Sequence, residues 1–288
     1  MKYTYYPGCS LEATSFAYDL STRAIAPLLD IDLEELEDWN CCGATAYMSV
    51  SQGSSFVLSA RNLALAEKKG WDIVAPCSAC YLGLNKTNIY MEEHPEVKDL
   101  VTKALAVAGL EYNGTVKVRH LLDVVVNDVG LDTVRANLKR DLGGLKVASY
   151  YGCQTIRPEG GFDSVEDPHS LDDIVVALGA TSVYFPMKDR CCGGSIAGSI
   201  REQALRMSKN ILLAAQREEA DIIITPCPMC HINLEAYQSQ INKRYDADFN
   251  IPILFFPQLM GFAFGRSEKD MAMNSLIVSP EKQLSPFV

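Results

Sequence analysis

Short apolar runs alternate along this chain with longer segments whose apolar residues return every three to four positions. Residues 2–6 (Lys-Tyr-Thr-Tyr-Tyr) have strand composition, and Pro7-Gly8 turns the backbone at the strand's end. Phe16, Leu20, Ala24 and Leu28 then mark one face of a helix packed on a sheet. An acidic stretch, Asp30 to Asp38, leads into Trp39. A small-residue region, Ala44 to Ser55, gives way to a helix through Ala60, Leu63 and Ala66 that ends at Gly70. Ile73-Val74-Ala75 reads as a buried strand stopped by Pro76. Val97, Leu100, Val101, Ala104, Leu105 and Ala108 form a further helical stripe closed by Gly109. Val116-Lys117-Val118 and a segment from His120 to Val126 complete this run.

The pattern then starts again. Gly143-Gly144 is the expected joint, and Val147 to Tyr151 repeats the opening strand. Arg157 to Pro168, rich in glycine, proline and acids, reads as a loop. Ser170-x-x-Asp173 reads as a capping box that opens a helix ending near Gly179. Ser182 to Phe185 is a strand, Ile200, Ala204, Met207 and Ile211 a helical face, and Ile222 to Ile224 a strand. A helix from about His231 and a strand Ile253 to Phe256 follow. Strands alternating with amphipathic helices predict a parallel-sheet α/β unit made twice, with domains at 1–144 and 145–288.

Length and charge narrow the function. With 288 residues and 48% apolar content, each half can bury its own core without disulfides. The first motif begins within ten residues of Met1, so a reducing, cytoplasmic location is expected. No apolar run approaches the ~20 residues that cross a bilayer, so no direct membrane span is expected. A formal charge of −10 argues against nucleic acid as a partner, since binding it needs a basic surface.

The cysteines carry the chemistry. Cys9, Cys41-Cys42-Gly43 and Cys77-Ser78-Ala79-Cys80 return as Cys153, Cys191-Cys192-Gly193 and Cys227-Pro228-Met229-Cys230, which accounts for all ten. The offset is 144 residues at the first cysteine and 150 at the others, the mark of a duplicated unit with one insertion. Flanks repeat too: Tyr5-Tyr6-Pro7-Gly8-Cys9 answers Tyr150-Tyr151-Gly152-Cys153. Cys9, Cys77, Cys153 and Cys227 each follow a strand, and ligands of parallel sheets collect at strand carboxyl ends.

A disulfide framework adds little to a large-cored cytoplasmic chain, buried structural thiols explain single cysteines but not ten in register, and a thioredoxin-like Cys-x-x-Cys leaves the Cys-Cys pairs without a role. Metal binding uses all of it. Adjacent cysteines reach two corners of one tetrahedral zinc only with backbone strain, whereas neighbouring thiolates can bind neighbouring irons of a cluster. Iron–sulfur is the first reading, with zinc in one half the alternative. Glycines beside the thiols let the backbone approach, and helices starting after Cys80 and Cys230 would point free N–H groups at an anionic cluster.

The spacings Cys-x31-Cys-Cys-Gly-x33-Cys-x-x-Cys and Cys-x37-Cys-Cys-Gly-x33-Cys-x-x-Cys resemble the duplicated cysteine-rich CCG domain. With Tyr-Tyr-Pro-Gly-Cys early and Pro-Cys-Pro-Met-Cys-His late, nearly the whole chain is similar to the B-type subunits of heterodisulfide reductase. The resemblance implies two Rossmann-like CCG domains related by a pseudo-two-fold axis. It implies two noncubane 4Fe-4S clusters, one held by Cys9, Cys41, Cys42, Cys77 and Cys80, the other by Cys153, Cys191, Cys192, Cys227 and Cys230. It implies that the disulfide of coenzyme M and coenzyme B lies between the clusters and is split there into two thiols. Electrons would come from a flavin-containing partner of the reductase complex through its ferredoxin-like partner, as in methanogenesis. The alternative is an electron-transfer component serving another oxidoreductase or a quinone.

His231, next to Cys230, is a candidate proton or hydrogen-bond donor. Lys188, Arg190 and Arg157 are candidates for anionic substrate groups, against their default as surface charge. Tyr6, Trp39 and Tyr151 are expected to shield the site from water. His120 and His169 have no such sequence neighbours.

Overall fold

The computed structural model of the chain describes residues 1–157 and 161–288; positions 158–160 of the expected insertion loop lie outside the described residues. Two four-stranded sheets form. The first is ordered β2-β1-β3-β4 from β1 (Lys2–Tyr5), β2 (Asp32–Glu35), β3 (Ile73–Ala75) and β4 (Val118–His120). The second, β6-β5-β7-β8, uses β5 (Lys146–Ser149), β6 (Thr181–Ser182), β7 (Ile222–Thr225) and β8 (Ile253–Phe255). Every pairing is parallel. The expected duplicated, Rossmann-like α/β architecture is present.

The helices connecting these strands include α1 (Phe16–Ile25), α2 (Gln52–Lys69), α3 (Ser78–Glu93) and α4 (Pro95–Val107) in the first half. Then come α5 (Leu131–Ala136), α6 (Ser170–Ala177), α7 (Arg201–Arg217), α8 (Pro228–Glu235) and α9 (Phe256–Ala263). Gly70 ends α2 at φ +74, bonding back to the Ala66 and Glu67 carbonyls, a left-handed cap that glycine adopts without penalty.

Several expectations need correction. The acidic stretch contains strand β2, whose residues alternate exposed and half-buried at the sheet edge. Charged edge strands resist further pairing, and their polarity hides the strand period. Ser170 forms no capping box: it lies inside α6, whose cap is His169, and its hydroxyl bonds Asp163 instead. Strand β6 is shorter than expected, ending at Ser182, and Tyr184 is solvent-exposed. Helices α3 and α8 start before the second cysteine of each Cys-x-x-Cys, so α8 begins at Pro228 rather than His231.

The halves share a core. Ile222 and Ile224 of β7 face one apolar cluster that also holds Tyr5, Leu63, Leu122, Ile174 and Phe256; Ile223 faces a second with Tyr150, Ile211 and Ile253. That split is the period-two alternation of a strand covered on both faces. Helix α9, late in the chain, packs on α1, and α5 packs on α6, so each half lends helices to the other.

Candidate metal centre

In each sheet the chain leaves the central strand toward one side and returns on the other, so a crevice opens beyond the carboxyl ends of β1 and β3, and of β5 and β7. Cys9 lies in the single turn Gly8–Leu11 after β1, and Cys77 caps α3 just after β3. Cys153 opens the turn Cys153–Ile156 after β5, and Cys227 caps α8 after β7. The Cys-Cys pairs come in from the outer strands. All ten cysteines are free thiols.

The two sets converge alike. Cys42 Sγ lies 3.5 Å from Cys80 Sγ, and Cys192 Sγ lies 3.6 Å from Cys230 Sγ. In the second half all five cysteines line one cavity, with Gln154, Gly194, Ser195 and Met229. Among the described residues no three His, Cys, Asp or Glu side chains close on one metal-ion position. Cys9 and Cys41 are exposed and Cys153 and Cys191 half-buried, so each set is open on one side.

The glycines test whether this is a cradle. A Cβ at Gly8 would sit 2.8 Å from Cys80 Sγ, and one at Gly152 would sit 2.8 Å from Cys230 Sγ. Both glycines have positive φ, +71 and +69. The backbone therefore passes directly against the sulfur in both halves, where any other residue would fill the space. This geometry and the all-thiol donor set fit an iron–sulfur cluster.

The surrounding hydrogen bonds also repeat. Tyr6 donates to the Asn40 carbonyl (2.7 Å) and Tyr150 to the Arg190 carbonyl (2.6 Å), fixing the residue before each cysteine pair. Ser59 and Ser208, on α2 and α7, donate to the Cys42 and Cys192 carbonyls at 2.7 and 3.0 Å. Gly193 and Gly194 N–H groups reach the Cys191 and Cys192 sulfurs at 3.3 Å, and Gly43 and Ala44 do the same for Cys41 and Cys42. Donors aimed at sulfur stabilise thiolate and any reduced cluster on it.

Proton sharing follows the same plan. Cys41 is held far below the usual thiol range by hydrogen bonds from Cys42 and Cys9, and Cys191 is pushed down to about 6 by Cys153. Cys9 and Cys153 rise in return, through hydrogen bonds to Cys41 and Cys191 and through burial. Five packed thiols cannot all ionise unless cationic charge enters among them, which bound metal supplies.

The other candidates are scattered. His231 is buried, stacks on Phe255 with 4.2 Å between ring centres, and has Nδ1 3.7 Å from a Glu235 oxygen. Burial pushes it down to about 4, so it is neutral. Lys188 ties the insertion loop, pairing with Asp167 at 2.7 Å and donating to the Pro168 carbonyl. Arg157 and Arg190 both pair with Asp189, and Arg157 acts electrostatically on Cys191. Trp39 packs edge-on against Tyr6. Tyr150, not Tyr151, occupies the place of Tyr6; Tyr151 instead accepts from the start of α6 and donates to Asp172. His120, set aside in the sequence, is buried where the halves meet, with Nε2 3.3 Å from Ser78 Oγ. No local motif marked it; only its place at the end of a strand in this topology does.

Comparison with known proteins places these features. The CCG family, described as a cysteine-rich domain, matches residues 3–85 and again 147–235. The chain is 35% identical over 283 residues to the 8-methylmenaquinol:fumarate reductase membrane anchor subunit of Wolinella succinogenes, covering 98% of each. It is 30% identical over 277 residues to the B subunit of the ferredoxin/F420H2-dependent CoB-CoM heterodisulfide reductase of Methanosarcina acetivorans, covering 94% of this chain and 92% of that one. A crystal structure of a hypothetical protein from Helicobacter pylori superposes with a TM-score of 0.78 at 16% identity, a likeness of fold. It covers 96% of this chain, which spans about half (52%) of that one.

Proposed function

The chain belongs to the cysteine-rich CCG domain family, carrying the domain twice, and on that premise we propose that it is the iron–sulfur subunit of a heterodisulfide-reductase-like oxidoreductase complex. Cys9, Cys41, Cys42, Cys77 and Cys80 hold one 4Fe-4S cluster of the noncubane kind, and Cys153, Cys191, Cys192, Cys227 and Cys230 hold the other. The observation that carries this reading is the repetition of one sulfur-against-glycine cradle at both switch points. When bound, such clusters supply one-electron chemistry at two neighbouring points. The protein's part is to hold both sets on one shared core, exclude water with Tyr6 and Tyr150, and direct N–H groups at the sulfurs. The domain boundary falls at 144/145, between Gly144 and β5.

For the finer role we favour electron transfer within a quinol-linked complex. The Wolinella relative, matched over nearly its full length, is named for a menaquinol-linked reductase. The seam between the Cys-x-x-Cys turns is filled by Ser78, Tyr18, Thr155 and His120, all fully buried, which suits electron passage more than a bulky substrate. Among the described residues no helix is long and apolar enough to cross a membrane, so contact with the quinone would run through a partner. A second reading, reduction of the coenzyme M–coenzyme B disulfide, is favoured by the Methanosarcina relative and by Arg157 and Arg190 beside the open side of the second set. Ferredoxin-like and flavin-containing partner proteins belong to that reading.

Anaerobic purification should yield brown protein with iron and sulfide in equal amounts; colourless protein with stoichiometric zinc would overturn the proposal. Incubation of the reduced protein with the heterodisulfide should release no thiols, and thiol release would shift the role to the second reading.

A further inference from the structure

Each half of a duplicated chain is a template for the other. Strand β4 starts with Val118 opposite Ile73, and β8 with Ile253 opposite Ile223; both partners lie four residues before the first cysteine of their Cys-x-x-Cys. On this match Asn85 of α3 answers Glu235 of α8, and Asp123, just beyond β4, answers Gln258, just beyond β8. A repeated hydrogen bond supports it. Asn88 donates to the Val116 carbonyl at 2.9 Å and Gln238 to the Ile251 carbonyl at 2.8 Å, each carbonyl two residues ahead of its strand.

The halves differ in what covers this place. In the second, the chain beyond α9 folds back over α8: Gln258 donates to the Met271 carbonyl at 2.8 Å, and Glu235 accepts from the Ile277 and Val278 N–H groups at 2.8 and 3.4 Å. Met271, Met273 and Val278 are buried there. In the first half the chain beyond 129 leaves to form α5 against α6. The corresponding place is a cavity of about 680 Å³ lined by Tyr81, Asn85, Ile89, Val118, Asp123 and Phe162, a volume usual for a binding cleft. It lies along the open edge of the sheet. The Lys117 carbonyl bonds the Ile73 N–H at 2.9 Å, so the Val118 N–H and C=O, next in the alternation, point away from β3. Lys98 and Lys117 stand exposed at the rim, neither in an ion pair among the described residues, against one exposed acid, Glu92.

We propose that this cavity docks a non-helical segment of a partner protein, held as the second half holds its own tail. The segment has two adjacent apolar side chains, as Ile277 and Val278 are, with a carboxylate nearby. Asn85 presents a carbonyl oxygen to its N–H groups where Glu235 presents a carboxylate, and the Val118 edge offers a further donor and acceptor. Asp123 does not repel an acidic segment, because Arg119 pairs with it and Asn127 donates to it at 2.7 Å. Lys98 and Lys117 then meet the carboxylate. One copy of the site is filled by a covalent tail and the other is left for a polypeptide that comes and goes. This holds whatever the thiols bind.

The test is hydrogen–deuterium exchange, read by mass spectrometry, on the anaerobically purified full chain with a synthetic peptide of its own residues 270–281. That peptide carries Ile277 and Val278 between Asp270 and Glu281. With peptide at about ten times its Kd, exchange over residues 112–119 should slow about tenfold, since covered amides exchange only from the unbound form. Exchange over residues 271–279 should not change, because the covalent tail keeps the second-half site. Ile89→Arg, which fills the groove, should remove the protection. Lys117→Glu, which inverts a rim charge, should reduce it, and Lys117→Arg should retain it, all three with the iron content of the unmodified protein. No slowing with peptide at about 1 mM, or slowing confined to the tail, overturns the inference. So does slowing that needs no peptide and grows with protein concentration, which would make the occupant a second copy. Iron and sulfide are measured apart from exchange, so failure here leaves the reading of the thiols standing.

Discussion

The cradle can be tested with one methyl group. At Gly8 the backbone has φ +71, which costs an L-residue about 1–2 kcal/mol, and the new Cβ would lie 2.8 Å from Cys80 Sγ. That is about 0.7 Å inside the ~3.5 Å at which nonbonded heavy atoms begin to attract. The sulfur cannot yield freely, since Cys80 is buried in the first turn of α3 with Cys42 Sγ 3.5 Å away. Overpacking of this kind adds about 1–3 kcal/mol, so Gly8→Ala should cost about 2–5 kcal/mol in all. Gly109→Ala separates the two effects: φ there is +65, but a Cβ would meet nothing within 4 Å. The expected result is that Gly8→Ala loses about half the iron and sulfide per chain, while Gly109→Ala keeps all of it and loses only the backbone cost. Gly152→Ala, with φ +69 and the same 2.8 Å approach to Cys230 Sγ, should lose the other half. Metal and sulfide analysis after anaerobic purification, with urea unfolding for stability, reads both quantities. Full iron in both variants, or equal iron loss in Gly109→Ala, would refute the idea that the backbone is shaped around cluster sulfur.

Other perturbations probe the shell. Tyr6→Phe and Tyr150→Phe each strand a carbonyl beside a cysteine pair, and each should cost about 1–3 kcal/mol and speed iron loss to a chelator. Glu235 is 5% exposed and its carboxyl is raised from 4.5 to about 7, chiefly by burial, although it accepts from the Ile277 and Val278 N–H groups. The folded state therefore holds this proton more tightly than the unfolded chain. The contribution to stability is fully present below pH ~4.5 and is lost as pH rises through ~7, a change of up to about 3 kcal/mol. Glu235→Gln should flatten urea-melt stability between pH 5 and 8; an unchanged slope would show that Glu235 is not the titrating group. Lys188→Ala should loosen the insertion loop, seen as faster proteolysis near Asp167 with little change in iron, because its bonds go to Asp167 and Pro168 and to none of the thiols.

What could be read in advance divides along a physical line. Features repeated by duplication were legible, because two copies of the same spacing reinforce each other: the parallel α/β units, the strand-end position of Cys9, Cys77, Cys153 and Cys227, and the close glycines. Features set by tertiary context were not. Strand β2 was hidden by Asp32, Glu34 and Glu35, whose charges suit a sheet edge and break the apolar signal. Ser170 had the right spacing for a capping box, yet Asp163 took its hydroxyl. Tyr151 looked like the twin of Tyr6 because the second flank is one residue shorter before its cysteine, but the hydrogen bond to the carbonyl before the cysteine pair belongs to Tyr150.

His120 is the most instructive case, since no cysteine or other motif residue lies near it in the chain. Its partner Ser78 lies 42 residues earlier, and the groups that this pair meets, Thr155 and the Pro226 carbonyl, belong to the other repeat. A repeat pattern reports what the two halves have in common, which here is the convergence of thiols against a close glycine. The halves differ at the seam between them. Ser78 against Pro228 and His120 against Phe255 are two such differences, and both fall on the one surface where the cysteine sets face each other. Ser78 reaches across to Thr155 and to the Pro226 carbonyl, a contact that Pro228, with neither hydroxyl nor N–H, cannot return, so at this seam the two copies are no longer interchangeable.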